Sequence, residues 1–161
     1  MTIVDGQSQF HNLLASYIIS SSKILTPYLN EDIAHTIIKN SFSKNGRTAI
    51  QLFLSLRLFF SWNKFKFLKK SLGIDTKEGF GKSFDIDVDD TDPNKVITKV
   101  NKCAFNQFFK AHGHENLTPL MCEWDNNWVS VIKRYPSFKH TYHNGIALGE
   151  NSCIFACEKI K

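Results

Sequence analysis

The spacing of the apolar residues changes about halfway along the chain, and this change limits the fold more than any other feature. Near the N-terminus these residues follow the pattern of one face of an α-helix. They are Phe10, Leu13, Leu14, Tyr17 and Ile18. Over positions 84–89, apolar and acidic residues alternate instead, as in a β-strand with one solvent-exposed face. We therefore predict an α+β fold, with N-terminal helices followed by a small antiparallel sheet with two inserted helices.

The helical half is predicted to span about residues 1–73 and to contain four helices. The pair Asn45-Gly46 predicts the end of the second helix, because a glycine after a helical pattern commonly stops it. A largely apolar third helix should then run to Phe60. A basic fourth helix should end near Gly73.

The sheet-containing half is predicted to span about residues 82–161. Its apolar pattern indicates four strands and two longer helical segments. The strands are expected at about 84–89, 96–100, 138–143 and 152–159, and the helices at about 105–113 and 118–133. The sequence has no internal repeat and no evident linker. We therefore predict that residues 1–161 form a single domain.

The composition is that of an ordinary folded protein. The 161 residues are 42% hydrophobic and 22% charged, which is typical of globular chains. The longest apolar stretch, 49–60, is interrupted by polar side chains and is shorter than the roughly 20 residues that cross a bilayer. The first residues do not read as a secretion signal. We therefore expect a cytoplasmic protein with no membrane partner, and free thiols at its four cysteines.

One segment, 62–70, alternates aromatic and basic residues. This composition occurs at nucleic-acid and membrane contacts. A surface helix that packs its apolar face on the core has the same pattern, and we prefer that interpretation. We accordingly do not expect a nucleic-acid partner. The sequence leaves open whether the chain forms a homo-oligomer.

The last third of the chain carries a recognisable series of landmarks. A Lys-Cys-Ala-Phe segment precedes an aromatic helix, a Cys-x-x-Asp pair follows on the next helix, and a Gly-x-x-x-Cys strand closes the chain. These are Lys102–Phe105, Phe108, Phe109, Gly113, Leu117–Asp125, Phe138–His140 and Gly149–Phe155. The pattern resembles the L-2-amino-thiazoline-4-carboxylic acid hydrolase family. It departs from that family at Ala104, where Pro is common, at His140, where Arg is frequent, and at Ile154, where an acid is usual.

The positions that match the family pattern are the candidate site. Cys103 comes at the expected start of a helix, where free N–H groups and the helix dipole should stabilise a thiolate. Cys122 and Asp125 are three residues apart on the next predicted helix and should share a face. We predict these three residues to be catalytic. Cys153 should contribute a further thiol if the last strand turns it inward.

The resemblance implies a substrate that is a cyclic isothiourea, with a cationic amidine and a carboxylate. An anion such as Asp125 would hold the amidine and polarise its carbon. Either a thiolate attacks that carbon directly, or a carboxylate or histidine activates water. We predict that His140 or Arg134 binds the substrate carboxylate and that Cys153 contacts the substrate. The resulting function is a hydrolase that acts on a small heterocycle or amidine.

Other interpretations remain open from sequence alone. Buried cysteines are ordinarily small hydrophobic residues, and this applies most clearly to Cys157. Cys103, Cys122, Cys153 and a histidine could instead bind zinc, but their spacing has no local zinc signature. We therefore predict no metal and no cofactor. The alternative function is a non-hydrolytic protein that binds a small molecule, or a biosynthetic protein, on the same fold.

Overall fold

The computed structural model describes residues 4–160, with the side chain of Asn45 excepted. The helices are α1 (Gly6–Leu25), α2 (Glu31–Phe60), α3 (Lys64–Lys70), α4 (Thr76–Phe80), α5 (Ala104–Ala111), α6 (Thr118–Cys122) and α7 (Asn126–Ile132). The strands are β1 (Asp85–Asp89), β2 (Lys95–Lys102), β3 (Phe138–His143) and β4 (Cys153–Lys159). Helices come first and the antiparallel sheet follows, with helices inserted between β2 and β3. The predicted α+β architecture is confirmed.

The sheet has the strand order β1-β2-β4-β3, and every neighbouring pair is antiparallel. The last strand in sequence therefore lies inside the sheet, between β2 and β3. In this register Cys153 pairs with Val100, and Phe155 pairs with both Thr98 and Tyr142. Paired residues of antiparallel strands point to the same face, so this register brings Cys153, Phe155 and Tyr142 to one side of the sheet.

The first difference from the prediction concerns α2, which is one continuous helix and not two. The expected break at Asn45-Gly46 is wrong. The ring of Trp124 lies where the Cβ of any other residue at Gly46 would be. A glycine inside a helix costs about 1 kcal/mol relative to alanine. Here the glycine permits close packing of a large aromatic ring against the helix, and the helix continues through it.

The basic helix also continues past its predicted end at Gly73. A π-helical turn, Ser71–Asp75, follows α3 and leads directly into α4. Gly73 is buried in this turn, and a Cβ at this position would lie 3.2 Å from Cγ1 of Val88. The glycine therefore allows the turn to approach the sheet and does not stop the helix. The helical half extends to Phe80, beyond the predicted boundary at about 73.

The long helix predicted at 118–133 is divided into α6 and α7. A turn over 123–125 separates them. Two contacts fix this turn on α2: Lys39 pairs with Glu123 at 2.7 Å, and the side-chain amide of Asn127 donates to the Ser43 carbonyl at 3.2 Å. Asp125 consequently lies in a turn, whereas the sequence predicted it inside one continuous helix.

The buried face of α1 differs from the predicted apolar stripe. Phe10, Leu13 and Tyr17 are 60%, 70% and 66% exposed. The buried face consists of Ser8, His11, Ala15, Ile18, Ile19 and Ser22. Small residues on this face let α1 approach its neighbours closely, which apolar spacing alone does not reveal. As a consequence, a histidine of α1 faces the interior.

The basic segment packs as predicted. Phe65 and Leu68 are buried at 7% and 1% exposure, while Lys66 and Lys70 are exposed. This is the arrangement of an amphipathic helix with its apolar face on the core. Trp62, two residues before the helix, is fully exposed. Within residues 4–160, no helix is long and apolar enough to cross a membrane.

Candidate active site

The cavity that contains the predicted catalytic residues has a volume of about 380 Å³ and lies between α1, the α6–α7 turn and one face of the sheet. Its walls are mainly aromatic and aliphatic. They are formed by Phe10, His11, Leu14, Phe42, Phe80, Phe84, Val100, Cys103, Phe105, Thr118, Met121, Cys122, Trp124, Asp125, Tyr142, Asn144, Cys153 and Phe155. Three thiols and one carboxylate that are distant in sequence therefore line a single cavity.

Each of these four residues comes from the end of a secondary-structure element. Cys103 is the residue between β2 and α5. Cys122 is the last residue of α6, and Asp125 is the last residue of the turn before α7. Cys153 begins β4, opposite Val100. Because β4 lies beside β2 in the sheet, Cys103, which follows β2, and Cys153, which begins β4, come from neighbouring parts of the fold.

Asp125 is the acidic residue of the cavity, and two aromatic side chains hold its carboxylate. Nε1 of Trp128 donates to Oδ1 at 3.2 Å, and the hydroxyl of Tyr142 lies 3.3 Å from Oδ2. Burial raises the pKa of Asp125 from 3.8 to about 6, although both hydrogen bonds act to lower it. The group is therefore mostly ionised at neutral pH and changes protonation state just below it.

Tyr142 was not predicted as a site residue. Its hydroxyl donates to the backbone carbonyl of Cys122 at 3.0 Å and also contacts Asp125. Burial, followed by the charge of Asp125, raises the pKa of Tyr142, so the phenol remains protonated. The tyrosine has one hydroxyl proton for two acceptors, the Cys122 carbonyl and the Asp125 carboxylate. When Asp125 is protonated, its carboxyl group can instead donate a hydrogen bond to the tyrosine oxygen. The sequence signal was the position of Tyr142 in the predicted strand 138–143, two residues after His140 and therefore on the same face.

The thiols of the cavity are not activated in the way the sequence suggested. Burial raises the pKa of Cys103 to about 11, even though the backbone N–H groups of Asn106 and Phe105 favour the thiolate. The expected low pKa of Cys103 is therefore wrong. Loss of hydration outweighs the helix terminus here, because the thiol faces a largely apolar cavity. Burial also raises the pKa of Cys122 and Cys153.

Cys157, which we predicted to be structural, lies away from the cavity. It is fully buried in an apolar cluster with Leu68, Val96 and Phe138. Burial raises its pKa to about 11. Its surroundings are those of a small hydrophobic core residue.

The two residues predicted to bind a substrate carboxylate do not line the cavity. Arg134 is exposed and donates from Nη2 to Oε1 of Gln51 at 3.1 Å. His140 lies on β3 opposite Cys157, and burial together with the charge of Lys133 lowers its pKa. Neither side chain reaches the site formed by the thiols and Asp125.

His11 is a cavity residue that sequence analysis missed. Its Nδ1 lies 3.3 Å from Oγ of Ser83, within hydrogen-bonding distance, and its ring packs edge-on against Phe84 and Phe105 at centroid distances of 5.1 Å. Burial lowers the pKa of His11, so the ring is neutral at neutral pH. Only the buried face of α1 could have indicated it, and the apolar spacing pointed to a different face.

Asn144 is the second polar residue that was missed. It follows β3 and lines the cavity. Its side chain forms a hydrogen bond with the thiol of Cys122, which lowers the pKa of that thiol and opposes the effect of burial. A polar amide in an apolar wall can orient a bound polar group. Across residues 4–160, no three His, Cys, Asp or Glu side chains form a group that could hold a metal ion. The zinc alternative therefore has no ligand set in the described part of the chain.

Comparison with known proteins places the chain in a family. The fold resembles the crystal structure of a trafficking protein particle complex subunit 3 from Naegleria fowleri covalently bound to palmitic acid, with 14% sequence identity and a TM-score of 0.46 over 94% of this chain and 95% of that chain. No curated protein matches the chain. The model of one family, described as L-2-amino-thiazoline-4-carboxylic acid hydrolase, matches residues 9–156, which includes the helical half as well as the landmarks of the last third. The chain belongs to the L-2-amino-thiazoline-4-carboxylic acid hydrolase family.

Proposed function

We propose that this protein is a hydrolase that cleaves a C–N or C–S bond at the amidine carbon of a small heterocycle, in the cavity around Asp125. The observation that carries the proposal is the meeting of Cys103, Cys122, Cys153 and Asp125 in one cavity of a chain that belongs to this family. The expected reaction of the family is the ring-opening hydrolysis of 2-amino-thiazoline-4-carboxylate.

Asp125 is the proposed anchor for the substrate. A protonated amidine is a planar cation with two N–H groups, and a carboxylate can accept hydrogen bonds from both. Trp128 and Tyr142 fix the orientation of this carboxylate. Binding of a cation in the cavity would favour the ionised form of Asp125. Because the pKa of Asp125 is about 6, the same carboxylate is suited to accept a proton from the attacking group near neutral pH.

Two attacking groups fit the cavity. In the first route, the Cys103 thiol transfers its proton to Asp125 as its sulfur attacks the amidine carbon. The bond between that carbon and the ring sulfur then breaks, and the ring sulfur leaves as a thiol. Water attacks the resulting enzyme-bound isothiourea, releases a urea-type product and restores Cys103. In the second route, water attacks the amidine carbon directly and Asp125 accepts its proton. Both routes consume one water and yield the same ring-opened thiol.

The pKa of Cys103 bears on the choice between these routes. A thiol with a pKa of about 11 is almost fully protonated at neutral pH, so direct attack depends on proton transfer to a nearby base. Asp125 is the charged base in the lining. The two routes therefore share a requirement for Asp125 and differ in their requirement for Cys103. Cys122 and Cys153 complete the wall around the reacting carbon in either route.

The test is turnover of 2-amino-thiazoline-4-carboxylate and of 2-amino-thiazoline, followed by mass spectrometry of the ring-opened product. We expect Asp125→Asn to lower kcat/KM by a hundredfold or more. Cys103→Ala should do the same if the thiol attacks and should cost less than tenfold if water attacks. Cys157→Ala is the matched control, because it removes a buried thiol outside the cavity. The 4-methyl and 4-phenyl analogues of 2-amino-thiazoline are assayed alongside, and a wild-type protein that turns over none of these compounds would refute the proposal.

One observation favours the alternative function, a small-molecule-binding protein without hydrolytic chemistry. Burial raises the pKa of all three cavity thiols, and reactive cysteines ordinarily have lowered values. In that case amidine ligands would raise the melting temperature without being consumed. The cytoplasmic location and the single-domain organisation predicted from sequence are part of either proposal.

A further inference from the structure

The charge of the cavity lining limits what it can bind. Among the described lining residues there is no lysine and no arginine. The lowered pKa of His11 leaves its ring neutral at neutral pH. The raised pKa values of Tyr142 and of the thiols leave those groups neutral as well. The ionised side chain that remains is Asp125, so the lining carries a negative charge.

This cavity should therefore bind a carboxylate weakly. It would lose its hydration in a largely apolar space and find no cationic side chain to replace it. It would also be repelled by Asp125, and the low polarity of the walls strengthens that repulsion. The backbone N–H groups of Phe105 and Asn106 interact with the thiol of Cys103, and those of Ile146 and Ala147 interact with the thiol of Cys153. The lining thus disfavours the carboxylate that defines the substrate in the family name.

The walls favour a different substituent. Besides His11 and Tyr142, seven aromatic side chains line the cavity, namely Phe10, Phe42, Phe80, Phe84, Phe105, Phe155 and Trp124. The volume of about 380 Å³ lies within the range of pockets that bury ligands larger than a single five-membered ring. Aromatic walls stabilise both apolar rings and organic cations.

We propose that the substrate of this cavity is a cationic amidine or isothiourea that carries an aromatic or branched alkyl group where the named family substrate carries its carboxylate. The amidine part of this proposal rests on the proposed function, because it assigns Asp125 to the cation. The substituent part rests on the lining alone: aromatic walls, one negative charge and no lysine or arginine in the described residues.

Three ligands with the same amino-thiazoline ring test the proposal by direct binding. They are 2-amino-thiazoline-4-carboxylate, 2-amino-4-methyl-thiazoline and 2-amino-4-phenyl-thiazoline. Isothermal titration calorimetry on the full chain at pH 7.5 should give the tightest binding for the phenyl compound, at least tenfold tighter than for the carboxylate. Equal or tighter binding of the carboxylate would overturn the proposal, and so would the absence of measurable binding for all three.

A charge introduced at the rim gives a gain-of-binding test. Phe10 lines the cavity and is also 60% exposed, so it lies at the opening and tolerates a polar replacement. Phe10→Lys should tighten binding of the carboxylate compound by tenfold or more. Leu13→Lys is the matched control, because Leu13 is 70% exposed on the same helix and does not line the cavity. An equal effect of both lysines would show that net charge, and not the lining, controls selectivity.

The binding experiment tests the inferred selectivity and the turnover experiment tests the proposed function, so either proposal can fail without the other. If the phenyl compound binds best and no ligand is hydrolysed, the proposed function fails and the inferred selectivity stands. If the carboxylate compound is hydrolysed and binds at least as tightly as the phenyl compound, the function stands and the inferred selectivity fails.

Discussion

Gly46 offers a sharp test of the packing that orients the candidate site. It lies in the middle of α2, where helix propensity favours alanine by about 1 kcal/mol. A Cβ at this position would overlap the ring of Trp124, and overpacking of this kind costs about 1–3 kcal/mol. The two effects oppose each other. We therefore expect Gly46→Ala to lower the free energy of unfolding by about 1 kcal/mol, despite its gain in helix propensity.

Gly79 is the matched control. It is also helical, in α4, and nothing lies within 4 Å of the Cβ that alanine would add. Gly79→Ala should therefore raise the free energy of unfolding by about 0.5–1 kcal/mol. The same chemical change at two helical glycines should thus have opposite signs. Urea denaturation followed by far-UV circular dichroism measures both.

A double-mutant cycle identifies the cause. In the Trp124→Leu background the ring that overlaps the added methyl group is absent, so Gly46→Ala should no longer destabilise the protein. Trp124 lines the cavity and precedes Asp125, so Gly46→Ala in the wild-type background should also weaken ligand binding. If Gly46→Ala stabilises the protein as much as Gly79→Ala does, the close packing of Trp124 on α2 is not the reason for the glycine.

Three further predictions concern the cavity. Burial raises the pKa of Asp125 from 3.8 to about 6, so the native state binds this proton more tightly than the unfolded state, and the stability that this group contributes falls as pH rises from about 4 to 6. The free energy of unfolding of Asp125→Asn should therefore rise by about 2–3 kcal/mol relative to that of the wild type between pH 4 and pH 7.5. If urea denaturation gives the same difference between the two proteins at both pH values, this prediction is wrong. Iodoacetamide at pH 7.5 should alkylate Cys103 slowly until denaturant is added, because its pKa is about 11. Rapid labelling seen by intact-protein mass spectrometry would contradict the effect of burial on this thiol. Tyr142→Phe should lower the free energy of unfolding by about 1–3 kcal/mol, because the Cys122 carbonyl loses its hydrogen-bond donor. Urea denaturation measures this difference, and an unchanged free energy of unfolding would mean that another donor replaces the hydroxyl.

Local patterns in the sequence were sufficient where one secondary-structure element could be considered alone. The alternation at 84–89 predicted β1, and the amphipathic pattern around Phe65 and Leu68 predicted the packing of α3. The cysteine and aspartate landmarks predicted which residues to examine as a site. These predictions required only the periodicity of a helix or strand and a motif.

The same patterns failed where a distant residue decided the outcome. Glycine commonly ends a helix, but at Gly46 the ring of Trp124 packs against the backbone and the helix continues. The apolar stripe of α1 indicated one face, whereas the neighbours of α1 selected the face that contains His11. The helix-start position of Cys103 predicted a lowered pKa, whereas desolvation of its thiol raises the pKa.

By itself, the sequence determined the order of helices and strands, the α+β class and the family pattern around Cys103, Cys122, Asp125 and Cys153. The tertiary structure decided that these four side chains meet in one cavity, that the cavity has aromatic walls, and that Arg134 and His140 lie outside it. The physical reason is that backbone periodicity depends on neighbours in the chain. Burial, desolvation and the convergence of distant side chains depend on how β4 inserts between β2 and β3.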